Sequence, residues 1–230
     1  MSTRTYGQFC GLARALELVG ERWALLIVRD LVLGPKRFTD LRRGLPRIPT
    51  NILSARLKEL EQSGVIHRRV LPRPAGSVVY ELTPYGRELE PIVLRLGRWG
   101  ARSLGEPGPT DIVTTDSIIL ALRATFLPGA AAGPPVGYEL RMGDVVVHAA
   151  VRDGALATGA GPLPDTAPSR RLVIETGPAF RALLARELSP ADALNSGEVH
   201  VTGDAALLDR FVDLFALQDP ADPAAAAQPA

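Results

Sequence analysis

Five side chains in the first third of the chain combine hydrogen-bonding groups with positive charge. They are Thr50, Asn51, Ser54, Arg56 and Lys58. The leucines between them, Leu53, Leu57 and Leu60, recur at helical spacing and fall on the side of a helical wheel away from Asn51 and Lys58. Short polar groups and cations at the start of a helix suit base edges and phosphates in a major groove. The pattern predicts a recognition helix that begins near Thr50, a candidate N-cap.

The same residues have an alternative interpretation without DNA. A solvated helix face also carries small polar groups and cations, so composition by itself does not separate the two. Arg56 lies on the flank of the wheel, where it suits either a phosphate contact or an internal ion pair with Glu59 or Glu61. Both roles of Arg56 stay open at this stage.

A basic hairpin follows the predicted recognition helix. Residues 65–71 and 77–82 read as two strands, and residues 72–76 form the tip between them. Arg69 and Arg73 lie where a hairpin reaches neighbouring phosphates or a minor groove. We therefore expect these arginines to contact DNA beside the recognition helix.

Helices surround these two elements. Apolar spacing predicts a first helix that Gly20 ends, a second over residues 22–33 and a short third one from Phe38 to about Leu45. Thr83 and Pro84, as cap and first turn, begin a last helix that runs to about Leu104. Its apolar residues exceed what one small domain covers, so we expect it to pack with the first helix in a homodimer. Four helices, a hairpin and a helix form the order of a winged helix-turn-helix.

The formal charge of +1 hides two halves of opposite sign. Residues 1–105 contain 18 Lys and Arg against 9 Asp and Glu, a net +9, whereas residues 106–230 contain 8 against 16, a net −8. A basic domain is expected of a nucleic-acid-binding protein, and an acidic one would be repelled by phosphates. Uneven solvated charge on two lobes is the alternative explanation.

Other classes of function find little support in the sequence. A single cysteine excludes an internal disulfide framework and a cysteine-built zinc site. The three histidines are scattered, so we predict no metal, no cofactor and no enzymatic activity. The chain lacks an apolar run long enough to span a membrane and a secretion signal at its start, which predicts a cytoplasmic protein with no membrane partner.

Prolines and glycines divide the chain. We predict a DNA-binding and dimerisation domain at residues 1–105, a linker at 106–110, a second domain at 111–217 and a disordered Ala/Pro-rich tail at 218–230. Alternating valines with two hairpin turns predict strands from residue 136 to beyond residue 154, and further strands at 171–176 and 198–202. With helices at 116–127, 178–188 and 204–217, the second domain is expected to be an α+β antiparallel sheet covered by helices.

Residues 8–104 resemble the HxlR family of bacterial transcriptional regulators. The motifs that carry the resemblance are Cys10, the run Gly20-Glu21-Arg22-Trp23, Gly34-Pro35 with Arg37-Phe38, the pattern from Leu53 to Leu60, and Tyr80-Glu81-Leu82-Thr83 with Gly86. The resemblance implies a dimer that binds an inverted repeat near promoters, with the helix from Thr50 in the major groove and the hairpin as wing. At the wing tip, PAGSVV replaces a more charged segment common in the family.

Residues 188–215 resemble the end of a sterol-carrier-protein-like domain, where a Ser-Gly element, a strand of alternating valines and Gly-Asp lead into the last helix. The resemblance implies an apolar cavity for a hydrophobic ligand. Five residues are candidates to line it: Phe126, Phe180, Leu184, Phe211 and Phe215. The alternative for each of them is an ordinary core position.

Together these observations predict a dimeric repressor whose second domain binds a hydrophobic small-molecule effector. Two alternatives stay open. Some HxlR relatives sense oxidants or electrophiles with a cysteine near position 10, and Cys10 stands at a helix start with Arg14 one turn on; its other expected role is a small buried residue near the dimer interface. The chain could also be a lipid carrier that uses the winged helix only to dimerise.

Overall fold

The computed structural model describes residues 5–72, 76–105, 107–108 and 110–218. It divides into two compact units, residues 1–93 and 94–230. The predicted linker and tail lie partly outside the described residues, and so does Arg73 at the predicted wing tip. Over the described part of the chain, none of the helices has both the length and the apolar character that crossing a membrane requires.

The first unit has the order of a winged helix-turn-helix. Helices α1 (Gly11–Val19), α2 (Ala24–Val32), α3 (Phe38–Gly44) and α4 (Thr50–Gln62) precede strands β1 (Ile66–Val70) and β2 (Val78–Leu82). The strands pair antiparallel, with Ile66 opposite Leu82. Lys36 forms an isolated antiparallel bridge beside β2, because its backbone exchanges hydrogen bonds of 2.9 and 2.8 Å with Tyr80. The fold predicted for this half of the chain is therefore confirmed.

The leucines of α4 hold the recognition helix against the core. Leu53, Leu57 and Leu60 are buried, as the wheel predicts, among side chains from α2, α3 and β1. Each buried leucine contributes roughly 1.5–3 kcal/mol relative to an exposed one. The face of α4 opposite the leucines is consequently fixed in orientation and presented outward.

Two helix starts test the capping predictions. Thr83 is a cap as predicted, since its Oγ1 accepts from the Gly86 N–H at 3.0 Å and donates to the Gly64 carbonyl at 2.6 Å. The N-cap assigned to Thr50 is wrong. Pro49 occupies that position, because its extended backbone turns the chain into α4 and its carbonyl accepts from the Leu53 N–H at 2.9 Å.

The last predicted helix is broken into two. A short α5 (Pro84–Arg87) precedes α6 (Glu90–Ala101), which ends before residue 104. Gly86 lets α5 pack closely against Val65, since a Cβ at this position would lie 2.0 Å from the Val65 carbonyl oxygen. Only glycine therefore allows α5 to sit against the start of β1.

The described residues of the second unit form a five-stranded sheet in the order β5-β4-β3-β6-β7. The strands are β3 (Val136–Met142), β4 (Val145–Arg152), β5 (Ala155–Ala160), β6 (Arg171–Thr176) and β7 (Val199–Gly203). Its helices are α7 (Thr115–Thr125), α8 (Ala179–Ala185), α9 (Pro190–Asn195) and α10 (Ala206–Leu214), with a 3-10 turn at Pro128–Ala130. An α+β domain is present, as expected.

One pairing corrects the predicted antiparallel sheet. Strands β3 and β6 run parallel, whereas the other three pairings are antiparallel. Residues 161–170 carry the chain back across the sheet before β6 begins, and the Leu163 N–H donates to Glu139 of β3 at 2.9 Å on the way. The mixed sheet thus follows from a crossover that the alternation of apolar residues does not encode.

Candidate nucleic-acid interface

Helix α4 exposes a polar stripe above its buried leucines. Thr50, Asn51, Ser54 and Lys58 are all exposed. The Ser54 hydroxyl donates to the Thr50 carbonyl at 3.0 Å, which leaves the serine oxygen able to accept a further hydrogen bond. The stripe therefore offers hydroxyl and amide groups near the helix start and an ammonium group about two turns later.

Arg56 is turned away from this stripe. Its guanidinium pairs with Glu59 on the same helix and with Glu21 at 3.2 Å, and only 16% of its side chain is exposed. Glu21 belongs to the segment that leads into α2, where Trp23 packs on the core and Arg22 stacks 5.2 Å from the Trp23 ring. Of the two roles that the sequence leaves open, the internal ion pair is present, and it ties α4 to the start of α2.

The wing carries a paired arginine. Arg69 Nε donates to Glu81 Oε1 at 2.7 Å and its Nη2 to Oε2 at 3.1 Å, while His67 Nε2 lies 2.8 Å from Oε1. Hydrogen bonding to Arg69 holds the pKa of Glu81 below its ordinary value and raises that of Arg69. Arg69 is thus positioned on the wing, with part of its charge offset by Glu81. The predicted contact at Arg73 lies outside the described residues.

Two exposed arginines escaped the sequence analysis. Arg42 and Arg43 stand in the last turn of α3, the helix that precedes the recognition helix. Their adjacency in a basic half of the chain was the available signal. The approach of α3 to α2 is close, since a Cβ on Gly44 would lie 2.6 Å from the buried Asp30 carboxylate. This contact fixes where the two arginines are presented.

Cys10 is exposed in the single chain, and its expected burial near a dimer interface stays a prediction. It occupies the N-cap position of α1, with extended backbone. The backbone amides of Ala13 and Leu12 lower the pKa of its thiol. A thiol in this setting forms thiolate more readily than a free cysteine does.

The four phenylalanines among the candidate pocket residues of the second unit lie together. Phe180, Leu184, Phe211 and Phe215 are buried, and Phe126 is half-buried. The rings of Phe211 and Phe215 have centroids 4.8 Å apart, and Phe126 lies 5.7 Å from Phe215. Tyr138, on the strand predicted to begin at residue 136, stands 5.1 Å from Phe211. The four phenylalanines and Tyr138 form one aromatic cluster.

Metal-binding geometry is not found in the described part of the chain, where no three His, Cys, Asp or Glu residues are grouped to hold an ion. His200 is exposed, and half-buried His148 lies 3.1 Å from the Gly161 carbonyl through its Nδ1.

A helix-turn-helix with an exposed polar stripe on its second helix, followed by a basic two-stranded wing, defines a winged-helix DNA-binding domain. A family model described as HxlR-like helix-turn-helix matches residues 18–107. The uncharacterized HTH-type transcriptional regulator Mb3122 of Mycobacterium bovis is 34% identical over 185 residues, 80% of this chain and 96% of that protein. The HTH-type transcriptional regulator YodB of Bacillus subtilis is 41% identical over 96 residues, 42% of this chain and 85% of that protein. A solved structure, the redox regulator HypR in its oxidized form, is 36% identical with a TM-score of 0.40, covering 42% of this chain and 99% of that one.

The chain belongs to the HxlR-like helix-turn-helix family and is a transcriptional regulator of the helix-turn-helix type. The match to the mycobacterial protein spans 185 residues and so extends beyond the 93 residues of the first unit. The resemblance between the two proteins therefore includes part of the helix-and-sheet unit.

Proposed function

We propose that the protein is a homodimeric repressor that binds an inverted-repeat operator with α4 in the major groove. The exposed stripe of α4 carries this proposal, because buried leucines fix its orientation and its groups match base edges. Thr50, Asn51 and Ser54 contact bases, whereas Lys58 contacts phosphates. Arg56 positions α4 through its pairs with Glu21 and Glu59 rather than reading DNA.

Phosphate contacts flank this helix on both sides. Arg69 and Arg73 supply them from the wing, as the sequence predicts. Arg42 and Arg43 supply them from α3, since the helix before the recognition helix crosses the backbone in this fold. Such contacts set register and affinity without carrying sequence information.

The dimer forms through α1 and α6. Apolar side chains on α6 stay exposed in the single chain at positions 92, 96 and 99, one face of a helix, and Trp99 is 69% exposed. Leu12 and Leu16 of α1 are exposed as well. A second copy that covers these faces buries them, and its twofold symmetry accounts for an inverted repeat.

The second unit resembles a sterol-carrier-protein-like domain and binds a hydrophobic effector at its aromatic cluster. A physical link to α6 supports a regulatory role: Arg98 Nε of α6 donates to the Leu217 carbonyl at 2.8 Å. Two residues earlier in the chain, Phe215 belongs to the cluster. A ligand that shifts Phe215 therefore acts on the helix that carries the dimer face, and unequal binding to the two DNA-binding states suffices for regulation.

The test is selection of genomic fragments by the purified full chain at near-physiological salt with competitor DNA, followed by a salt titration. Enrichment of one palindromic site with a steep salt dependence is the expected result, because each neutralised phosphate releases counterions. Asn51→Ala should relax base preference within that site. Gln62→Ala, at the far end of the same helix, is the matched control and should leave preference intact. Weak binding that is indifferent to sequence would refute the proposal.

A thiol switch at Cys10 is the second candidate, and the exposure and lowered pKa of this residue favour it. Under this proposal an oxidant or electrophile modifies Cys10 beside the dimer face of α1 and changes operator binding. Cys10→Ser should abolish the response to diamide or a quinone and leave basal DNA affinity unchanged. A variant that still responds would exclude the switch.

A further inference from the structure

Tyr138 combines complete burial with an unused hydrogen-bonding group. It lies in the middle of β3 and its side chain is fully buried. Its hydroxyl meets no hydrogen-bond partner among the residues that the structure describes. Buried polar groups in proteins are nearly always paired, and an unpaired one costs free energy. A small molecule with an acceptor atom at this position would satisfy the hydroxyl on binding.

The surroundings of this hydroxyl are aromatic. The ring of Tyr138 meets Phe211 edge-on at 5.1 Å and Phe215 edge-on at 6.3 Å. Phe180 lies behind Phe211 at 6.4 Å. Half-buried Phe126, next to Phe215, brings the cluster to the surface of the unit. Flat, apolar molecules pack well against such rings, because aromatic pairs gain from offset and edge-on contacts.

The electrostatics favour an acceptor at this position. Burial raises the pKa of Tyr138 far above its ordinary value, so the hydroxyl stays protonated and remains a donor. The positive charges of Arg210 and Arg170 act against that rise, while Asp213 acts in the same direction as burial. Arg210 is held in place through a 2.6 Å hydrogen bond to the Ala132 carbonyl.

We infer that the aromatic cluster binds a flat apolar molecule carrying one carbonyl-type oxygen, and that Tyr138 donates its hydroxyl hydrogen to that oxygen. The inference rests on the proposed effector-binding role of the second unit and adds the chemical class of the effector. Apolar contacts with the phenylalanines supply affinity, and the single hydrogen bond selects among molecules of equal shape.

A pair of compounds of nearly equal shape tests the hydrogen bond. 2-Acetylnaphthalene carries the carbonyl, and 2-isopropylnaphthalene replaces it with a methyl group. Calorimetric titration of the full chain should show roughly fivefold tighter binding of the ketone, the value of one neutral hydrogen bond. Tyr138→Phe should abolish this preference without lowering the melting temperature of the unliganded protein. Tyr85→Phe, an exposed tyrosine of the first unit, is the matched control and should retain the preference.

Each contrary result overturns a different part. If the wild type binds both compounds equally, or if the preference survives in Tyr138→Phe, then Tyr138 does not donate the proposed hydrogen bond. Neither result contradicts the proposed effector site. A melting temperature that falls in Tyr138→Phe without ligand shows that the hydroxyl already has a partner, which overturns the inference. Failure of both compounds to bind any form overturns the effector site as well. The selection of operator DNA by the wild type is measured separately and reports on DNA recognition in every case.

Discussion

Substitutions of two cations on α4, Arg56 and Lys58, distinguish a role in the stability of the first unit from a role in DNA binding. Both are replaced by methionine, which keeps an unbranched apolar stem and removes one positive charge. Arg56 is mostly buried and paired with Glu21 and Glu59, whereas Lys58 is exposed on the stripe. The same change of charge on the same helix should therefore affect two different properties.

The expected size of each effect follows from these surroundings. The partners of Arg56 are partly exposed, with Glu21 38% and Glu59 48% accessible, so removing both pairs costs about 1 kcal/mol rather than the larger value of a buried pair. In a unit of 93 residues this lowers the melting temperature by roughly 4–8 °C. Lys58→Met should leave the melting temperature within about 2 °C, because exposed substitutions rarely change stability.

DNA affinity should change in the opposite order. Lys58→Met removes one phosphate-binding cation and should lower the logarithmic salt slope by about one unit. Arg56→Met should change the affinity by no more than about twofold when it is measured well below its melting temperature. Thermal unfolding and fluorescence anisotropy on the selected operator measure the two properties. A stable Arg56→Met that binds tenfold more weakly, beside a Lys58→Met that binds normally, would show that the roles assigned to the two residues are reversed.

Three further predictions concern other elements. Glu81→Gln removes a carboxylate from the wing and frees Arg69. Operator affinity at low salt should therefore rise about twofold, the effect of one unit charge near 10 Å in water. A weaker complex would mean that Glu81 holds Arg69 in the orientation that binds DNA. Burial raises the pKa of Glu139, but the Leu163 N–H and Arg141 outweigh it and hold that pKa below its ordinary value. The ionised carboxylate therefore stabilises the fold at neutral pH and loses this effect as the pH falls through the lowered pKa. Glu139→Gln should lower the urea midpoint of unfolding at pH 7 and much less at pH 3. An equal shift at both pH values would exclude the ion pair as its cause. Trp99→Glu on the exposed face of α6 should convert the proposed dimer to a monomer in light scattering with an unchanged fold; a persistent dimer would place the interface elsewhere.

The buried face of α4 was predictable because it depends on local periodicity. Leu53, Leu57 and Leu60 repeat every three or four residues, and a helix with that spacing has one orientation that removes them from water. Thr83 was predictable for a similar reason, since a threonine before a proline and a glycine three residues on define a helix start within one turn. Interactions confined to a single turn can be read from the sequence.

Three features depend on contacts between distant residues, and the sequence did not specify them. Glu21 and Arg56 are 35 positions apart, and helical spacing offered only Glu59 and Glu61 as partners for the arginine. The parallel pairing of β3 with β6 depends on the path of residues 161–170 across the sheet. Tyr138 alternates correctly with Val136 and Leu140, but nothing in that alternation shows that its hydroxyl is buried without a partner among the residues that the structure describes.

The opposite charges of the two halves bear on the steep salt dependence that we predict for DNA binding by a chain with a net charge of +1. At physiological ionic strength the Debye length is about 8 Å, shorter than the radius of a domain of 100 residues, which is about 13 Å. Phosphates at the proposed α4 contact therefore respond mainly to charges within that distance, and the basic residues of the first unit supply such charges. Lowering the salt lengthens this range, so the acidic half should begin to oppose binding below about 0.01 M, where the Debye length reaches about 30 Å. A logarithmic salt plot that flattens in this range for the full chain would show that repulsion, whereas a straight line would mean that the acidic half stays beyond the reach of the DNA at every salt concentration.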